Sequence, residues 1–163
     1  MFVRARAEEV GMSRYTAVAL LATGAVVAVT VAATPNSNAL VLPHIRGARN
    51  PQVTQQNIHQ TICVRGWTST IRPPESYTYR LKLKQIAQWH RPGSARDYEE
   101  DHLISLEVGG APRSPRNLWP QPWPQARRDD EGIEARLHRN VCAGEMTLRA
   151  AQRAEVAYKE KYG

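Results

Sequence analysis

The chain has 163 residues, 42% of them hydrophobic, with 22 Lys+Arg against 15 Asp+Glu and a formal net charge of +7. That length and apolar content suit one domain with a core and exclude a low-complexity or disordered chain. Two cysteines are too few for a disulfide-dense scaffold.

Arg4, Arg6 and Arg14 precede an uncharged apolar run from Ala17 to Ala33. Pro35 breaks the run, and Ser37-Asn38-Ala39 supplies small residues before Leu40. This is the order of a secretory signal, with Met12 as an alternative start and cleavage after Ala39 or, second, after Ala33. An uncleaved membrane anchor is the competing reading, because residues 17–33 approach the length of a short membrane span. Either way residues 40–163 are expected outside the cytoplasm, as a secreted or extracytoplasmic domain. Cys63 and Cys142 suit an oxidising space and are expected to pair, two buried thiols being the other possibility. Residues 40–163 keep 19 basic and 13 acidic residues, and 18 of the chain's 22 cations are arginine. Guanidinium suits phosphate contacts, although a merely basic secreted domain shows the same balance.

Leu40 to Asn50 reads as an extended arm. A helix is expected from Asn50-Pro51 to Cys63, with Val53, Ile58 and Ile62 as its apolar positions. Arg65 to Pro74 reads as an ordered loop. Ser76 would cap a helix from Tyr77 to about Trp89, burying Leu81, Ile86 and Trp89. Tyr98 to Leu106 reads as a strand and Val108 to Arg116 as a Gly/Pro-rich loop. A short second strand, Asn117 to Trp119, is expected to end before Pro120, Pro122 and Pro124. A helix from about Ala126 to Val141 carries Ile133, Leu137 and Val141 on one face, and Ala143-Gly144 stops it. Thr147 would cap a last helix, Leu148 to about Tyr158. The fold class implied is α+β: a small, mostly helical domain around one hairpin-helix unit.

The densest chemical signal lies in Glu99–Leu118. It places Asp101-His102 in a strand, then Gly109-Gly110, then Asn117-Leu118, with Asn117 fifteen positions after the histidine. This series resembles the core of the HNH, or ββα-metal, nuclease superfamily. The resemblance covers about a quarter of residues 40–163, counting the following helix. It implies a metal-dependent endonuclease acting on nucleic acid, with a divalent ion (Mg²⁺, Mn²⁺ or Zn²⁺) as cofactor. Carried over residue by residue, it implies His102 as general base, Asp101 as metal ligand and Asn117 as the anchor of the hairpin.

The sequence departs from the pattern at the remaining ligand. In the family this comes about nine residues after the Asn, which here falls near Ala126. Glu134 and His138, spaced i, i+4 on one helix face, are the candidates to complete the metal shell, with Asp130 a weaker one. The zinc ribbon of many family members is missing. Arg113, Arg116, Arg127 and Arg128 flank the motif as possible phosphate contacts or as a basic rim. Trp119 and Trp123 suit packing of the hairpin or, second, stacking on bases. The alternative function is a catalytically inactive secreted domain on the same scaffold that binds a polymer or protein partner. Convergence of Asp101 with Glu134 or His138 beside His102 would separate the two.

Overall fold

A computed structural model describes residues 45–163. The expected signal or anchor, and both cleavage positions, lie outside the described residues. Among those, no helix is long and apolar enough to cross a membrane.

The fold is α+β. Two strands, β1 (Tyr98–His102) and β2 (Leu118–Pro122), pair antiparallel, with Asp101 opposite Trp119 and Glu100 opposite Pro120. β2 runs through Pro120 and Pro122, two prolines expected to stop it. Register explains this. The Leu103 N–H donates to the Asn117 carbonyl at 2.8 Å, so hydrogen-bonded pairs alternate from that point. Pro120 and Pro122 then occupy the non-hydrogen-bonded positions, where a strand nitrogen faces away from its partner and needs no N–H. β1 is shorter than expected: it ends at His102, and Leu106–Val108 form a 3-10 turn.

β2 passes directly into α3 (Trp123–Asp129), with Pro124 in the first turn where its missing N–H costs nothing. A π-helical turn, Asp130–Glu134, joins α3 to α4 (Ala135–Cys142). The expected helix over Ala126–Val141 is therefore one rod starting three residues earlier and wound loosely in its middle. Its Ile133, Leu137 and Val141 stripe enters the main core with Val53, Ile58, Ile62, Ile104 and Val108. Gly144, at φ +75°, ends the rod. The Thr147 hydroxyl accepts from the Ala150 N–H at 3.2 Å and caps α5 (Leu148–Tyr162). α5 continues four residues past the expected end at Tyr158.

The N-terminal part departs further from expectation. Only Gln55–Gln60 is helical, as a 3-10 turn. Asn50 and Asn57 bond nearby backbone N–H groups instead of propagating an α-helix. Val53, Ile58 and Ile62 are nonetheless buried. The stretch read as a loop contains α1 (Trp67–Ile71), begun by Gly66 at φ +83°. α2 (Glu75–Gln88) has Pro74 rather than Ser76 at its cap position, so it starts two residues before the expected Tyr77. Leu81 and Ile86 are only partly covered. Its one buried residue is Gln85, whose amide donates to the Leu118 carbonyl at 2.9 Å and docks the helix on β2.

Cys63 and Cys142 form a disulfide with Cα atoms 5.7 Å apart. It ties the N-terminal turns to the end of α4. Closing a loop of this length stabilises by about 4 kcal/mol on the chain-entropy account. Such a bridge belongs to an oxidising, extracytoplasmic compartment.

Candidate active site

Strand alternation sends Glu99 and Asp101 to one face of β1 and Glu100 and His102 to the other. Asp101 turns toward α5 and meets Lys159, which is 1% exposed. The Lys159 ammonium donates to Asp101 Oδ2 at 2.6 Å, to Glu134 Oε1 at 2.5 Å and to the His102 carbonyl at 2.8 Å. All three of its N–H groups are thereby used. Glu155 Oε1, one turn back on α5, lies 3.9 Å away. Burial alone would depress the Lys159 pKa, but Asp101, Glu134 and Glu155 together outweigh it and raise it.

One ammonium does not neutralise this cluster. Carboxylate oxygens of Asp101, Asp130 and Glu134 lie within 4.8 Å of one another. Burial raises the Glu134 pKa well above the usual carboxylate range, although Lys159 pulls it down. Burial, then Asp101, raises Asp130. Glu155 is pushed to about 7, mainly by burial, and so is Glu99, with Asp101 and Asp130 adding to its shift. The π-turn matters here, because it carries both Asp130 and Glu134 to the loop end of the hairpin, beside Asp101. The excess negative charge and an all-oxygen donor set fit a hard divalent cation such as Mg²⁺ or Mn²⁺ better than Zn²⁺.

These carboxyls set a pH dependence of stability. A folded pKa above the unfolded one means that the native state binds more protons, so stability is lost as pH rises through the folded value. Glu99 and Glu155 at about 7 and Glu100 at about 8 place that loss in the neutral range. His102 shifts downward and opposes this only below its ordinary value of 6.5. Chelator-treated protein should therefore melt at a higher temperature at about pH 6.5 than at about pH 8.5. Equal melting temperatures, or a higher one at the alkaline end, would contradict the charge excess.

His102 is 5% exposed, and burial lowers its pKa against the pull of Asp101. The imidazole is therefore neutral at pH 7. Its Nε2 lies 3.1 Å from the Pro112 carbonyl oxygen. A carbonyl only accepts, so Nε2 carries the hydrogen and Nδ1 keeps a free lone pair. His102 borders two clefts. One, of about 260 Å³, is walled by Arg72, Asp101, Asp130 and Glu134. The other, of about 300 Å³, is walled by Arg72, Lys82, Glu100 and aromatic side chains.

No family model, curated protein or solved structure matches this chain. The site rests on its own geometry.

Of the sequence candidates, Asp101, Glu134 and Asp130 come together beside His102. His138 does not. Four residues past Glu134 along the rod, a rise of about 6 Å, its Nε2 lies 2.9 Å from the Ile62 carbonyl. It sits by the Cys63–Cys142 bridge. The three groups are close enough for a metal, but the sulfurs are bonded to each other and offer no thiolate.

Asn117, also carried over as a site residue, is 0% exposed and lines neither cleft. Its Oδ1 accepts from the N–H groups of Ile104 and Ala48, at 3.0 and 3.2 Å. Its Nδ2 donates to the carbonyls of Ile104 and Ala111, at 2.9 and 3.1 Å. It thus welds the two ends of the hairpin loop to the N-terminal arm. Gly110 makes room for this, since a Cβ there would sit 1.7 Å from the Ile104 oxygen. Asn117→Ala should cost about 2–4 kcal/mol in denaturant unfolding, because it strands buried backbone groups. A loss below about 1 kcal/mol would remove the anchoring role.

None of the arginines flagged beside the motif lines either cleft. Arg116 lines a groove with residues 47–51 and Val53. Arg127 lies over the Trp123 ring, and Arg128 bonds Asp129 and the Tyr162 carbonyl. The cations that line the clefts are Arg72 and Lys82, which sequence reasoning assigned no role. Arg72 follows a helix too short to show periodicity. Its one available signal is its place before Pro73-Pro74, which fixes the chain there. Trp119 is buried with Ile45 and Leu103, whereas Trp123 lines a cleft.

Proposed function

We propose that this chain is an exported, metal-dependent, HNH-like endonuclease that hydrolyses phosphodiester bonds in nucleic acid. The observation that supports it best is the convergence of Asp101, Asp130 and Glu134 beside a neutral, oriented His102. Asp101, Asp130 and Glu134 would hold the divalent ion. Bound there, such an ion supplies positive charge against that developing on the phosphate and the leaving oxygen. His102 Nδ1 takes a proton from the attacking water, whose oxygen forms the new bond to phosphorus. The P–O bond to the leaving nucleoside breaks, and its oxygen collects a proton from solvent. Arg72, at the edge of both clefts, offsets the charge of the substrate phosphate against the acidic wall. Lys159 fixes Asp101 and Glu134 from behind rather than touching substrate.

A binding domain without catalysis is the second reading. What favours it is Lys159, which already supplies Asp101 and Glu134 with a cation. Nicking of supercoiled plasmid by residues 40–163 decides between them. Cleavage with Mg²⁺ or Mn²⁺, abolished by chelator, is expected. Plasmid left intact with every metal, together with intact single-stranded DNA and RNA, would leave the binding reading.

A further inference from the structure

The second cleft is not used by the chemistry above, and one of its groups is costly to keep. Glu100 points from β1 away from the acid cluster, and both of its carboxyl oxygens are buried with no hydrogen-bond partner among the described residues. Folded proteins leave few such atoms, and one facing a cleft calls for a partner such as water, an ion or a ligand. Lys82, a cation in the same cleft, is already engaged: its ammonium donates to the Tyr98 carbonyl at 2.8 Å and stands 5.7 Å from the Tyr79 ring centre. Tyr79 is 50% exposed, although a large aromatic gains by being covered. Trp123, backed by the Arg127 guanidinium at 5.3 Å, lines the same cleft. The volume of about 300 Å³ is at the small end for a ligand pocket. Arg72 and His102 form the wall shared with the acidic cleft.

Aromatic faces, an open carboxyl and a cation in one small cleft match a nucleobase: rings that stack and polar edge groups that bond. We infer that the cleft walled by Tyr79, Trp123, Lys82 and Glu100 is a subsite for one unstacked base of a single strand, adjacent to the phosphate that His102 and Arg72 address. Tyr79 stacks on the base, and Glu100 bonds its edge and so biases which base is accepted. A base inside a duplex cannot enter, so the substrate is single-stranded or locally unpaired nucleic acid. This inference deepens the nuclease reading and rests on it for the place of the neighbouring phosphate.

Binding in the presence of chelator separates the two claims, because no cleavage is then involved. Fluorescence anisotropy of short labelled oligonucleotides is measured with the parent, Tyr79→Ala and Glu100→Gln. Tyr79 is half exposed, so its loss leaves the fold intact, and a thermal melt checks both variants. The parent should bind single strands more tightly than duplex. Tyr79→Ala should weaken single-strand binding at least about fivefold, as loss of one base stack does. Glu100→Gln should change the order of preference among poly-dA, poly-dC and poly-dT. Undiminished single-strand binding by Tyr79→Ala, an unchanged base order in Glu100→Gln, or tighter binding of duplex by the parent would each overturn the subsite. A parent that binds in this Tyr79-dependent way yet never cuts would retain the subsite and reject the nuclease.

Discussion

The His102→Ala protein is expected to cut at less than about one-hundredth of the parent rate, since a positioned general base contributes roughly 10²–10⁴-fold. The effect should lie in the chemical step, with substrate affinity in chelator little changed, because the cation assigned to the phosphate is Arg72. The fold should survive. The His102 carbonyl that receives Lys159 is backbone and stays, while the hydrogen bond to Pro112 and the packing of the buried ring are lost. The hydrogen bond is worth about 1 kcal/mol, and the cavity left by the ring adds to that cost. Burial places the His102 pKa below the ordinary imidazole value, so the parent should be fully active at pH 7 and lose rate only as the pH falls into the acid range. Undiminished metal-dependent cleavage by His102→Ala would reject this assignment of the base.

Lys159→Met carries the largest expected effect on stability. Lys159 is the only cation bonded to Asp101 and Glu134 among the described residues, and it lies beside Glu155. Removing it leaves carboxylates facing one another in a buried site. Breaking a buried charge network from one side costs about 3–5 kcal/mol. Unfolding by urea in chelator should show that loss, whereas Lys161→Met, at a fully exposed site two residues on, should be near neutral. Added Mg²⁺ should return part of the stability, since the same oxygens then have another cation. A loss no larger than that of Lys161→Met would show that the ammonium does not hold the cluster.

The hairpin is legible in the sequence because its signals are local. Asp101 and His102 alternate in a β-rich run, Gly109-Gly110 permits the close turn, and Asn117 supplies the only amide there with four bonds to make. The apolar stripe of Ile133, Leu137 and Val141 is legible for the same reason: spacing alone places it against a core. The loss of pairing expected at Pro120 and Pro122 is not realised, because a rule about strands says nothing until register assigns each nitrogen inward or outward.

Lys159 is illegible for a different reason. Lys-Glu-Lys near a chain end reads as a solvated helix terminus, and nothing within α5 tells that one of the two lysines is buried. What buries it is Asp101, 58 positions earlier, and Glu134, 25 earlier. Glu134 and His138 show the opposite limit. Their i, i+4 spacing puts both on one helix face, but a face spans several layers of the fold. Glu134 falls beside the hairpin, while His138 falls one turn on, against Ile62. The π-turn that presents Asp130 has no sequence mark beyond Gly132.

The central claim is that a hard divalent cation and His102 act together on a phosphodiester. The most direct measurement is the single-turnover cleavage rate of a single-stranded oligonucleotide by residues 40–163, followed as Mg²⁺ is raised from a chelated start, with His102→Ala alongside. The account predicts a rate that begins at zero, rises and saturates with Mg²⁺ in the parent, and stays near zero throughout in the variant. A parent rate that is independent of Mg²⁺, or absent at every concentration, would contradict it.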